Sequence, residues 1–289
     1  MASHHLDKLN DSFEHNNKHF DLIIVGNHGN ATTALVLDES PFADITFNKF
    51  HGFNIKLNDN NPFGKAAQTI KELDLIVHVD HQPPKYHVWK PLNYLTNVER
   101  INVYLNVTEI PSNALNLKSL KSITISSQNS ITIKKNAFYN LENLTKLTFV
   151  HGDLKKIQNE AFAFSKKSSV KLQIVFSFSY LYDDSFEIRT FDGIRRPVDI
   201  TFDHLKVHKN VSCLQESMFK SILDYDDSNT IIFNETYINC TDCRNQWLFR
   251  GRKDHQIKDA FCIHNTNITL FDPHNRDFLS RTCKTPKII

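Results

Sequence analysis

The stretch LTKLTFVHGDLKKIQNEAF, from Leu144 to Phe162, decides the fold. Its apolar residues fall at Leu144, Leu147, Phe149, Val150, Leu154, Ile157, Ala161 and Phe162. The first part, Leu147-x-Phe149, alternates with the period of a half-buried strand. The second part spaces Leu154, Ile157 and Ala161-Phe162 more widely, as a chain does when it turns away and returns. Neither part can bury its apolar side alone. A stack of similar units would bury both, so the stretch predicts neighbours of the same design.

Those neighbours are present. Ala137-Phe138 lies 24 residues before Ala161-Phe162, and Phe186 lies 24 residues after Phe162. Leu115 sits 23 before Phe138, and Trp89 and Phe63 continue upstream at steps of 26. Downstream, Phe219 follows after a longer gap of 33, with EIRTFDGIRRP read as an insertion. Short apolar pairs run in phase with these rungs: Ile45/Phe47, Leu73/Leu75, Ile101/Val103, Ile123/Ile125, Leu147/Phe149, Leu172/Ile174 and Ile200/Phe202. A third set, Ile110, Ile133, Ile157, Leu181 and Leu214, precedes the aromatic rungs by about five residues. The period and pattern are those of leucine-rich repeats. The expected fold is therefore α/β: a curved solenoid with parallel strands on the concave face and a stacked aromatic spine on the other side. The Asn that usually closes the strand-to-loop turn is replaced by Gln128 in one unit and Gly152 in the next, and is kept as Asn106 in another.

Composition agrees. The chain has 289 residues with 40% hydrophobic content, and its 22 Phe stand against only 2 Trp and 2 Met. A formal net charge of +2 offers no basic stripe for nucleic acid. Seven Gly leave little material for phosphate-binding loops. No G-x-S-x-G, H-E-x-x-H or Walker motif occurs. No cofactor is expected, and no apolar run reaches membrane-spanning length. The N-terminus, MASHHLDKLNDSFEHNNKHF, has no signal-peptide h-region.

All five cysteines lie in the last third: Cys213, Cys240, Cys243, Cys262 and Cys283. The strings INCTDCRNQWLFRG, FCIHN and RTC resemble the cysteine-rich C-terminal flank of extracellular leucine-rich repeat proteins. That resemblance implies the disulfides Cys240–Cys262 and Cys243–Cys283, and Trp247-Leu248 matches the flank's Trp-Leu. The flank usually places one residue between its first two cysteines, and here two intervene. Such a cover would seal the apolar end of a stack, each bond adding about 2–4 kcal/mol. A zinc site from Cys240, Cys243, Cys262 and His264 is the competing reading, with Cys262-x-His264 a poor second ligand pair. Cys213 is left over and reads as a small buried thiol. Across residues 42–283 the layout also resembles the secreted arthropod proteins related to the non-catalytic subunit of Oplophorus-luciferin 2-monooxygenase. The strings ITFNKFHGFNIKLNDNNPFG, ESMFKSIL and IIFNETYINCTDCRNQWL carry it. It implies an extracellular, non-catalytic partner or scaffold.

The expected layout is a tail over 1–19, an N-terminal capping segment over 20–41, repeats over 42–228 and a cysteine-rich cap over 229–289. The expected role is extracellular binding of a protein partner, without enzymatic activity. The alternatives are an accessory subunit of a secreted enzyme and a cytosolic adaptor with free thiols. Positions between the inward strand residues nominate a concave binding surface of Thr46, Asp74, Asn102, Tyr104, Thr124, Thr148, Gln173 and Thr201. Glycosylation sequons occur at Asn10, Asn30, Asn106, Asn143, Asn210, Asn234, Asn239 and Asn267, with Asn234, Asn267 and Asn106 the preferred sites. The segment DYDDSNTIIFNE places Asp224, Asp226, Ser228 and Glu235 at calcium-loop positions, but reads better as an acidic solvated loop. His78, Asp80 and His81 are a weak metal candidate.

Overall fold

The computed structural model describes residues 21–25, 35–37, 42, 45–76, 88–105, 107–207, 214–238, 242–249, 255–262 and 265–269. Their strands, in chain order, are β1 (Asp21–Val25), β2 (Leu35–Leu37), β3 (Lys49–Phe53), β4 (Ile55–Leu57), β5 (Glu72–Ile76), β6 (Arg100–Leu105), β7 (Glu109–Ile110), β8 (Ser122–Ser127), β9 (Ser130–Ile133) and β10 (Lys146–Val150). They continue with β11 (Asp153–Ile157), β12 (Leu172–Ser177), β13 (Tyr180–Leu181), β14 (Val198–Asp203), β15 (Lys206–Val207), β16 (Thr230–Asn234), β17 (Tyr237–Ile238), β18 (Ile257–Lys258), β19 (Phe261–Cys262) and β20 (Asn265–Thr269). Among the described residues, two α-helices, α1 (Trp89–Leu92) and α2 (Glu216–Tyr225), are short. The fold is an α/β leucine-rich repeat stack, and its contacts divide it into two units. Unit 1 is Met1–Asn106 with Ala114–Ile125, and unit 2 is Val107–Asn113 with Ser126–Ile289.

In unit 1, β1, β3, β5, β6 and β8 lie side by side in that order, and β2 pairs with β4. β1–β3, β3–β5 and β5–β6 pair in parallel, with Leu22, Phe50, Leu73 and Ile101 in one row. The next inward row is Ile24, Gly52, Leu75 and Val103. The strand expected around Ile45/Phe47 is in fact Lys49–Phe53. Its second inward residue is glycine, which hides the strand from any search for alternating apolar side chains. A Cβ on Gly52 would come within 2.7 Å of the Ile55 side chain and 2.8 Å of the Phe50 ring, so a larger residue there would force those side chains to shift. Phe42, Phe47, Phe50 and Phe63 fill this end of the core, with ring centroids 5.4–5.9 Å apart.

Unit 2 carries a long sheet, β10-β12-β14-β16-β18, and a second one, β15-β13-β11-β9-β7. The long sheet buries the row Leu147, Ile174, Ile200, Ile231 and Ile257 and the row Phe149, Phe176, Phe202 and Phe233. The four Phe rings of the second row stack at 5.4–5.5 Å. A second ring column, Phe138, Phe162, Phe191, Phe219 and Trp247, stacks at 5.2–5.9 Å. The columns meet edge to face, as at Phe149–Phe162 (6.3 Å) and Phe202–Phe219 (6.2 Å). This is the favoured geometry of the ring quadrupole. The spine rung expected at Phe186 belongs to Phe191. Phe186 instead sets its edge against Phe176 at 5.7 Å, because the extra residues fall on both sides of the Phe191 rung, which lies 29 residues after Phe162 and 28 before Phe219. Trp247 ends the column and donates its Nε1–H to the Leu214 carbonyl at 2.5 Å.

The strand-to-turn steps after β10, β12, β14 and β16 are closed by a residue in left-handed backbone: His151 (φ 55), Phe178 (φ 49), His204 (φ 46) and Glu235 (φ 45). That conformation aims the N–H of His151, Phe178 and His204 at the carbonyls of Ser177, Asp203 and Asn234, at 2.9–3.1 Å. A second left-handed set, Asn113, Asn136 and Glu160, likewise donates N–H to Asn136, Glu160 and Arg189. Hydroxyls do the work expected of the turn Asn. Ser127 donates to the Val107 carbonyl, Ser179 to Phe149 and Thr236 to Phe202. Buried backbone carbonyls need such partners, and a short hydroxyl can supply them as well as an amide.

Candidate functional site

The outward face of each long sheet is built from the alternate residues that do not enter the core. In unit 1 the parallel register sorts them into three columns. The first, Asp21, Lys49, Glu72 and Arg100, alternates in charge. Glu72 is shared by Lys49 at 3.4 Å and Arg100 at 3.2 Å. The second column is Ile23, His51, Asp74 and Asn102. Here Asp74 accepts from Asn102 Nδ2 at 2.6 Å and faces His51 Nδ1 at 2.7 Å. The third column, Val25, Phe53, Ile76 and Tyr104, is apolar. Val25 is 55% exposed and Ile23, beside it, 63%. Phe53, Ile76 and Tyr104 are half-buried.

Unit 2 presents the columns Lys146, Gln173, Asp199, Thr230; Thr148, Val175, Thr201, Ile232; and Val150, Ser177, Asp203, Asn234. Its polar groups are largely paired with one another. Asp199 meets Lys171 at 2.7 Å and accepts from Thr230 at 2.5 Å. Asp203 accepts from Ser177 at 2.7 Å and from Asn234 at 2.6 Å.

The nominated concave residues therefore divide. Asp74, Asn102 and Tyr104 lie together on the outward face of unit 1, and Thr124 is half-buried on β8. Thr201 is on the outward face of unit 2. Thr46 is exposed but precedes its strand, so Lys49, His51 and Phe53 take the outward positions it was assigned. Thr148 is on the right strand but only 9% exposed, a short side chain in register with branched Val175. Gln173 is exposed one column away from its expected place, because Ile174/Phe176, and not Leu172/Ile174, align with Leu147/Phe149. Phe53 and Ile76 were not nominated. Ile76 follows Leu75 directly, and two adjacent apolar residues at a strand end are the signal for an apolar outward position.

On the rim of unit 2, the rings of His151, Phe178 and His204 stack at 5.2 and 4.7 Å. His204 Nδ1 faces Asp203 at 2.9 Å and Nε2 faces Glu235 at 2.5 Å. The hydrogen bond to Asp203 raises the imidazole above its ordinary pKa against desolvation, with the charges of Glu235 and Asp203 adding to it. Burial alone would raise the Asp203 carboxyl, but hydrogen bonds from Ser177, His204 and Asn234 hold it below its ordinary value. A histidine pKa raised by folding gives stability that is full below the unfolded value and is lost as pH rises through the folded one. The imidazole proton resonance of His204 should therefore titrate above 6.5, and stability should fall as pH climbs beyond that midpoint. Titration at or below 6.5, or the same pH dependence in His204→Gln, would contradict this.

Cys243, in the 3-10 turn Cys243–Phe249, is disulfide-bonded. Cys240, Cys283, Cys213 and Asn106 lie outside the described residues, as do His78, Asp80 and His81. Cys262 and Asn267 are described in backbone only, on β19 and β20. Asn234 is exposed at the end of β16. In the acidic loop, Asn229 is fully buried, accepting from the Val198 N–H at 2.7 Å and donating to the Ile222 carbonyl at 2.6 Å. Among the described residues no cluster of three or more His, Cys, Asp or Glu is placed to hold a metal ion, and no helix is long and apolar enough to cross a membrane.

Residues 92–192 match the family model of the BspA type leucine rich repeat region, in 6 copies. No curated protein matches the chain.

Proposed function

We propose that this leucine-rich repeat protein is secreted and non-enzymatic, and that it binds a protein partner through the outward face of its unit 1 sheet. One observation carries the reading: the column Val25, Phe53, Ile76 and Tyr104 leaves apolar surface open beside two columns of charged and polar groups. Apolar anchors inside a polar surround are how protein interfaces concentrate their binding energy. The repeat architecture supports the same conclusion, since such repeats commonly serve protein interaction. Disulfide-bonded Cys243 supports an oxidising compartment. The resemblance to the non-catalytic luciferase subunits supports a secreted enzyme as one kind of partner for the same face.

Panning random dodecapeptides displayed on phage against the full chain tests the face. Selected peptides should lose about 30-fold or more in affinity for Ile76→Asp, the size of one hot-spot contact. They should bind a Lys167→Glu control as they bind the wild type. Peptides indifferent to Ile76→Asp and to Phe53→Asp would refute the face. Mass measurement with and without thiol alkylation tests the compartment. Four blocked cysteines out of five support secretion, and five free ones point to a cytosolic adaptor.

A further inference from the structure

We infer that Asn143 is an N-glycan acceptor, displayed on the turn that leads into β10. The inference rests on the proposed secretory route, since N-glycans are added there. The sequon is Asn143-Leu144-Thr145.

Three of the eight sequons have their acceptor among the described residues, and the fold treats them differently. Asn143 is exposed between Leu141 and Leu144, whose side chains are fully buried. Burial of both flanking leucines turns the residue between them outward. The turn is held in place by hydrogen bonds from Leu141 N–H to the Phe138 carbonyl and from Leu144 N–H to the Leu141 carbonyl. The carbonyls on either side of Asn143 are pinned as well. Arg196 donates to Glu142 O at 2.7 Å and to Leu144 O at 2.5 Å. A solvent-facing side chain on a fixed turn can carry a bulky, hydrated sugar without displacing core atoms.

Asn234 ends the strand β16. Its side-chain amide donates to Asp203 at 2.6 Å within an outward column of the unit 2 sheet. The hydroxyl of its sequon, on Thr236, is 4% exposed and already committed to the Phe202 and Asn234 carbonyls and the Leu205 N–H. A sugar at Asn234 would stand on the sheet face and remove one proton from this network. Asn267 lies inside β20, whose backbone pairs with β19. Of the three, Asn143 alone combines exposure with a position outside the strands. Its glycan would leave the columns of the unit 2 sheet uncovered.

The modification forms a bond between Asn143 Nδ2 and the anomeric carbon of an oligosaccharide carried on a lipid pyrophosphate. The carbon–oxygen bond to the pyrophosphate breaks, and the lipid pyrophosphate leaves with the electron pair. One amide proton is released, so no oxidant or reductant is involved.

The test is to secrete the full chain from insect cells behind a cleavable leader. Peptides are then mapped before and after enzymatic removal of N-glycans in heavy-oxygen water. Most molecules should show Asn143 converted to labelled aspartate. Thr145→Ala should remove that label and one glycan mass, while Thr145→Ser should keep both. Peptide mapping needs no variant, so a poorly folding substitution does not obscure the result. An unlabelled Asn143 in secreted protein with blocked cysteines would overturn the inference and leave the secretory reading standing. Five free cysteines in native material would instead sink the secretory reading itself.

Discussion

Phe162→Ala should lower the free energy of unfolding by about 4 kcal/mol, read by chemical denaturation. Phe162 is fully buried and sits where the two aromatic columns cross. It stacks on Phe138 at 5.9 Å and Phe191 at 5.3 Å, and meets Phe149 and Phe176 edge to face at 6.3 and 6.2 Å. Truncation leaves a ring-sized hole that four rigid aromatic neighbours cannot close, so the lost packing adds to the lost transfer energy. Ile188→Ala, at a side chain 57% exposed, should change stability by less than about 0.5 kcal/mol. In a stack each repeat is stabilised mainly by its immediate neighbours. The Phe162 variant should therefore also broaden the transition, with amides of β10 and β12 losing hydrogen-exchange protection before those of β16. A loss under about 2 kcal/mol would show that the spine is looser than its geometry.

Arg196→Met should cost about 3 kcal/mol, although methionine fills much of the same space. Arg196 is 1% exposed, and burial lowers its pKa. It lies 5.0 Å from the centre of the Phe164 ring, and its two terminal nitrogens hold the Glu142 and Leu144 carbonyls. A thioether donates nothing, so both carbonyls lose their partner, each at about 1–3 kcal/mol when buried. Arg196→Lys should recover less than half the loss, because an ammonium cannot present two parallel N–H groups. A Lys variant as stable as the wild type would show that charge, and not the fork, matters there. The contact joins residues more than fifty positions apart, so this one side chain ties the insertion to the turn below it.

How much of this was legible follows from what each signal depends on. The repeat from Leu144 to Phe162 was readable because all its inward positions carry large apolar side chains. β3 was not, since Gly52 occupies an inward position where apolar counting sees nothing. Phe191 lost its place in the spine to Phe186 because a fixed step of 24 cannot follow inserted residues. Only the packing decides which of two nearby phenylalanines turns inward. Arg196 was invisible for a different reason. Arginine normally marks surface, and only the geometry of distant carbonyls makes a buried one tolerable. Of the candidate face, Asp74, Asn102 and Tyr104 followed from alternation alone. Val25 and Phe53 were missed with their strands, and Ile76 because an apolar residue directly after inward Leu75 breaks the alternation.

The two tryptophans fall one to each unit. Trp89 opens α1 in unit 1 at 6% exposure, and Trp247 ends the ring column of unit 2 against Phe219 at 5.7 Å. Each unit thus carries its own fluorophore. With Trp89→Phe, emission reports the far end of unit 2 alone; with Trp247→Phe, it reports unit 1 alone. The pair forms a built-in optical label set, able to show whether the two halves of the chain lose their structure together or in turn.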